Sequence, residues 1–137
     1  MAYDIRFKRI YQDASPADGA RVLVDRLWPR GKQKDELALG DWYKEASPST
    51  GLRQCWHRGE LTEAAFGHAY RHQLDQAPDC LLPLMRAARQ GRLTLLTASK
   101  KPDQSHLPIL RRALLDALRT EDAADRDEST SPTCYGS

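Results

Sequence analysis

The chain reads as an α/β domain with a mainly parallel sheet flanked by helices, and three observations predict it. Two short apolar runs, Val22-Leu23-Val24 and Leu93-Thr94-Leu95-Leu96-Thr97, look like strands buried on both faces, the kind found inside parallel sheets. Apolar stripes at helical spacing lie between and after them, so the strands alternate with amphipathic helices. The first run ends in Asp25-Arg26-Leu27-Trp28-Pro29-Arg30-Gly31, and open α/β sheets bind ligands outside the carboxyl ends of such strands.

The elements follow in order. Ile5-Arg6-Phe7-Lys8 alternates with the period of a half-buried first strand. Ser15-Pro16-Ala17-Asp18-Gly19 carries turn residues and connects it to a second strand over residues 21–25. Beyond Gly31 a polar stretch through Asp41 reads as loop with one helical turn at most. Ser47-Pro48-Ser49-Thr50 is a helix entry, with Leu52 and Trp56 on the inward face. Thr62 caps the next helix, in which Ala65, Phe66, Ala69, Tyr70 and Leu74 recur before Pro78. Cys80, Leu81, Leu84, Met85 and Ala88 form a third stripe, closed by Gly91. After the strand at Leu93, Leu107, Leu110, Leu114 and Leu118 predict a last amphipathic helix, with Pro102 and Pro108 bearing on its first turn. From Glu121 the chain turns acidic, small and polar, which predicts one domain over residues 1–120 and a disordered tail over 121–137.

At 137 residues one compact domain needs neither disulfide nor metal to hold it together. Cys55, Cys80 and Cys134 are odd in number and contain no C-x-x-C pair, so reduced thiols are expected. The first residues hold no apolar signal region, and no apolar stretch approaches the ~18 residues of a membrane span. The expectation is therefore a cytoplasmic protein without a membrane partner. A net charge of +2 does not by itself point to nucleic acid.

If the strands ending at Asp25 and Thr97 are parallel neighbours, Asp25, Arg26 and Arg30 meet Ser99, Lys100 and Lys101 at one sheet edge. Arginine offers a rigid fork to phosphate or carboxylate, lysine a compact charge, and a helix start such as Ser47, Ser49 and Thr50 adds donors. Arg53, one turn into that helix, reaches the same anion. Trp28 and Trp56 wall the pocket or stack on a planar ring. The ligand-binding set is thus Arg26, Trp28, Arg30, Ser49, Arg53, Trp56 and Lys100. Asp25 is the candidate general base, or else the group that orients Arg26, and His57 is the candidate for proton exchange. The same residues have plainer uses: Asp25 paired with Arg26, Arg30 or Arg53, the tryptophans as core, and Cys55 as a core thiol rather than a nucleophile.

Several chemistries are not indicated. There is no G-x-G-x-x-G after either early strand, no G-x-x-x-x-G-K-[ST] and no G-x-S-x-G, which argues against dinucleotide, P-loop nucleotide and serine-hydrolase chemistry. His68 and His72 stand four apart without the glutamate of H-E-x-x-H or an obvious third ligand. No cofactor or metal is expected.

The run from Arg21 to Gly31, with Lys34, closely resembles the signature of the YeaO-like domain-of-unknown-function family. The resemblance continues through Trp42, Pro48-Ser49, Leu52-Arg53, Trp56-His57, Phe66, Tyr70, Leu74, Thr94-Leu95-Leu96 and Lys100, covering most of residues 3–118. It implies a small domain of Rossmann-like layering, and it brings no established activity with it. Such proteins tend to carry an acidic residue and a histidine-asparagine pair after the lysine, where this chain has Lys101, Gln104 and Ser105. His106 stands where many relatives also have histidine. If the replaced groups are catalytic in relatives, the resemblance implies an altered or inactive site here. The functional expectation is a protein that binds an anionic small molecule, with enzymatic turnover left open. A nucleotide- or nucleic-acid-binding module and a protein-interaction domain are the alternatives.

Overall fold

The computed structural model describes residues 3–28 and 41–130. Four strands, β1 (Ile5–Arg9), β2 (Ala20–Leu23), β3 (Asp41–Trp42) and β4 (Leu93–Thr97), form one sheet in the order β1-β4-β2-β3. Every pairing is parallel, with Leu93 of β4 facing Ile5 on one side and Ala20 on the other. The helices are α1 (Thr50–His57), α2 (Glu63–Gln76), α3 (Leu82–Gln90) and α4 (Leu107–Thr130). Mainly parallel α/β layering is therefore the architecture.

All five residues of β4 are buried, as a central strand with neighbours on both edges requires. Its two faces are covered differently. Val22, Val24, Leu93 and Leu95 join one large cluster with Phe66, Tyr70 and Leu74 of α2, Leu84, Met85 and Ala88 of α3, and the apolar stripe of α4. On the other face, Leu23 and Leu96 pack with Ile10 against Trp28, Trp42 and Ala98. Near the amino ends that second face is polar. Asp18 accepts from Lys8, Arg21 and the Ser15 amide, and the Thr94 hydroxyl donates to the Asp18 carbonyl at 2.6 Å.

The turn before β2 needs glycine. Gly19 has φ 67°, and a Cβ there would run into the backbone carbonyl of Arg92, the group that accepts from the Ala20 amide at 3.0 Å.

Three boundaries differ from the sequence reading. Strand β2 stops at Leu23 rather than at residue 25: the Val24 amide still donates to the Leu96 carbonyl at 3.1 Å, after which the Asp25 side chain takes over the bonding to β4. The pair Asp41–Trp42, read as the end of a loop, is a two-residue edge strand on β2. The stretch of that loop from residue 29 to 40, with Arg30 and Lys34, lies outside the described residues. Helix α4 runs past Glu121 to Thr130. There Arg89 of α3 binds Glu121 at 2.6 Å and Asp122 at 2.8 Å, and the Tyr3 hydroxyl donates to Asp122 at 2.7 Å. The acidic composition that suggested disorder supplies partners for a cation on the neighbouring helix.

Candidate functional site

Strands β2 and β4 run side by side in one direction, so the segments after Leu23 and Thr97 leave the sheet together. Between them and α1 opens a cleft of about 560 Å³, whose lining includes Asp25, Arg26, Trp28, Arg53, Trp56 and Lys100. His57, in the last turn of α1, reaches the same cleft at its exposed rim. This volume lies in the range of small-molecule sites.

Asp25 forms the floor. One carboxylate oxygen accepts from the Thr97 hydroxyl and the other from the Ala98 amide, both at 2.8 Å, so the side chain stitches the end of β2 to that of β4. Its carbonyl accepts from the Trp42 indole at 2.8 Å. The imidazole beside it belongs to His106 and not to His57: His106 Nε2 lies 3.7 Å from the Asp25 carboxylate and 2.8 Å from the Val24 carbonyl. A carbonyl only accepts, so Nε2 carries the hydrogen. Burial holds the His106 pKa below its ordinary value, against the attraction of Asp25 and the bond to Val24.

Arg26 is not oriented by Asp25. Its Nε donates to the Pro48 carbonyl at 3.0 Å and an Nη to the Ser47 carbonyl at 3.4 Å, fixing the approach to α1. Ser49 has a structural role in the same place, because its hydroxyl caps α1 by accepting from the Leu52 amide at 3.2 Å. The Ser49 amide donates to Gln73, so this residue orders the helix start and does not line the cleft.

Arg53 differs from these. It lines the cleft, and its Nε is buried without a hydrogen-bond partner. Trp56, one turn further along the same helix, stacks on Phe66 with ring centroids 4.6 Å apart, and the two rings form a wall that is partly core and partly cleft. Trp28 packs edge-on against Trp42 at 5.1 Å. Both tryptophans therefore serve packing and line the cleft as well.

Of the cations singled out in the sequence, Arg26, Arg53 and Lys100 line the cleft, whereas the partners of Asp25 were missed. Thr97, the Ala98 amide and His106 come from a segment some seventy residues away, and only the predicted strand adjacency pointed toward it. Phe66, Gln104 and Ser105 also line the cleft. Cys55 is half-buried on α1 and outside the cleft lining. No group of metal-ligating side chains occurs among the described residues, and none of their helices is long and apolar enough to cross a membrane.

Fold and site together define a small parallel α/β domain with a cation-rich, aromatic-walled cleft at the carboxyl ends of its central strands. The chain belongs to the DUF488-N3i family, described as the inactive DUF488-N3 subclade, whose model matches residues 4–136. It is similar to the uncharacterized protein YeaO of Escherichia coli (strain K12), with 42% identity over 107 residues that cover 78% of this chain and 93% of the relative. It is also 34% identical over 110 residues to the uncharacterized proteins Rv3073c of Mycobacterium tuberculosis (strain H37Rv) and Mb3100c of Mycobacterium bovis, covering 80% of this chain and 92% of each. No solved structure matches the chain.

Proposed function

We propose that the protein binds a phosphate- or carboxylate-bearing small molecule in this cleft and does not turn it over. The observation that carries the reading is Arg53, a residue of the cleft lining whose guanidinium keeps a buried Nε–H without a partner. Leaving such a donor unsatisfied costs about 1–3 kcal/mol, and an anionic ligand would remove that cost. Lys100 adds charge at the rim, and Arg26 keeps donors to spare beyond the two given to carbonyls.

The absence of turnover rests on the family's description as inactive. In the cleft, Asp25 is held against the end of β4 by bonds from Thr97 and Ala98, and the His106 Nε2–H is given to a main-chain carbonyl, so both groups have a part in the fold that needs no substrate.

Calorimetric titration with inorganic phosphate and with citrate tests the reading. Binding is expected for the wild type and its loss for Arg53→Met, with the variant's thermal midpoint unchanged or raised. Silence of the wild type toward both anions, or equal losses of binding and stability in the variant, would overturn it.

A further inference from the structure

We infer that the ligand is a nucleoside monophosphate: a phosphate monoester joined to a planar ring. The inference rests on the anion-binding reading above and narrows it. Three features of the cleft carry it.

The first is charge. Among the described residues lining the cleft, Arg26, Arg53 and Lys100 face a single carboxylate, Asp25. The excess of positive charge matches a group carrying two negative charges better than a carboxylate carrying one. A phosphate monoester has about −1.5 to −2 at neutral pH and three acceptor oxygens, enough to engage a fork and an ammonium together.

The second is spacing. Arg53 and Trp56 stand three apart on α1, on one face and about 5–6 Å apart at Cβ. A guanidinium and an indole one helical turn apart suit a ligand whose anion and ring are separated by a short linker such as a ribose. Stacking on Phe66 at an interplanar angle of 24° fixes the indole in place, so a base meets a preset surface with little ordering cost.

The third is size and polarity. A cleft of about 560 Å³ far exceeds what a bare phosphate fills. Gln104, at the same cleft, has an exposed side chain with no hydrogen bond of its own among the described residues, and an amide presents a donor and an acceptor to the edge of a base.

The experiment titrates the full chain with inorganic phosphate, with adenosine, guanosine, cytidine and uridine 5′-monophosphates, and with the corresponding nucleosides, read by calorimetry and by quenching of tryptophan fluorescence. At least one monophosphate is expected to bind about tenfold or more tighter than phosphate, the gain that stacking on one aromatic side chain gives, and to quench the tryptophans. Trp56→Leu is expected to weaken that ligand about tenfold or more beyond any change in phosphate affinity, so that the two come together. Monophosphates no tighter than phosphate would overturn this inference and leave the anion reading standing. A nucleoside as tight as its monophosphate would overturn it by showing the cations idle, and absence of binding by phosphate, citrate and every monophosphate would remove both readings. A single-stranded oligonucleotide that outcompetes every monophosphate, with a steep salt dependence, would overturn it in favour of nucleic acid. If Trp56→Leu fails to fold, the comparison of phosphate, nucleoside and monophosphate on the wild type decides the matter alone.

Discussion

Replacing Asp18 with asparagine tests whether the polar network under the sheet stabilises the fold through charge. The Asp18 side chain is 12% exposed and lies 2.5 Å from Arg21 Nη1 and 3.1 Å from Lys8 Nζ, with the Ser15 amide donating at 3.0 Å. That amide bond first, and the two cations after it, outweigh burial and bring the carboxyl from 3.8 down to about 2. A folded value below the unfolded one means that the unfolded chain binds protons more readily. The stabilisation is therefore complete above the unfolded value and drains away as pH falls toward the folded one. The gap between 3.8 and about 2, at about 1.4 kcal/mol per pH unit, amounts to about 2 kcal/mol. Asp18→Asn also sets an amide against Lys8 and Arg21, so the expected loss at neutral pH is about 2 to 4 kcal/mol. Urea unfolding followed by circular dichroism, from neutral pH down to about pH 2.5, measures the difference between wild type and variant. Asp4 and Asp122, whose carboxyls are also held low by arginine partners, are present in both proteins and cancel. The difference should narrow by about 1 to 1.5 kcal/mol between about pH 4 and pH 2.5, the remainder being lost only below the folded value. A constant difference across the whole range would show that Asp18 acts through shape and not through charge.

Gly19→Ala forces a side chain onto a residue at φ 67° and against the Arg92 carbonyl; a loss of about 2 kcal/mol or more in urea unfolding is expected. Arg89→Ala removes the cation that holds Glu121 and Asp122, and hydrogen exchange should speed up at residues 119–125 while residues 107–118, packed in the core, keep their protection. Asp25→Asn takes away the one carboxylate among the described residues of the cleft lining, so phosphate should bind more tightly, by several-fold in calorimetry. In the same variant the imidazole of His106, already titrating below its ordinary 6.5, should titrate lower still by NMR, because the carboxylate that supports its charged form is gone.

Much of the frame was legible because it depends on local pattern. Strand β4 falls on Leu93–Thr97 as read, Ser49 and Thr62 cap α1 and α2, and parallel pairing of β2 with β4 follows from two runs buried on both faces. Arg26 and Lys100 were legible for the same reason, since they follow those strands, and Arg53 because it lies one turn into the capped helix α1. What pattern could not supply was the other end of each long-range bond. Nothing in Asp25-Arg26 tells that the carboxylate turns to Thr97 and Ala98 while the guanidinium turns to Ser47 and Pro48; the choice is made by which backbone arrives beside each group. The length of α4 was missed because Glu121 and Asp122 look like a solvated tail until Arg89 stands opposite them. The edge strand at Asp41 was missed because two residues carry no period.

The cleft divides its charged groups into those that complete the fold and those that do not. Asp25 and His106 are enclosed by bonds to the ends of β2 and β4, and Arg26 is half committed to the loop before α1. These groups hold the walls in position. Arg53 does nothing comparable: its Nε is shielded from water and receives no acceptor, so in the free protein it subtracts from stability, whereas methionine would fill the space without that cost. A term that disfavours folding when the cleft is empty becomes favourable when an anion supplies the acceptor, and by linkage the same free energy appears as ligand affinity and as ligand-dependent stability. Removing that cost is one contribution to the anion affinity of the cleft, which is why binding and the thermal stability of the free protein should move in opposite directions when that side chain is replaced.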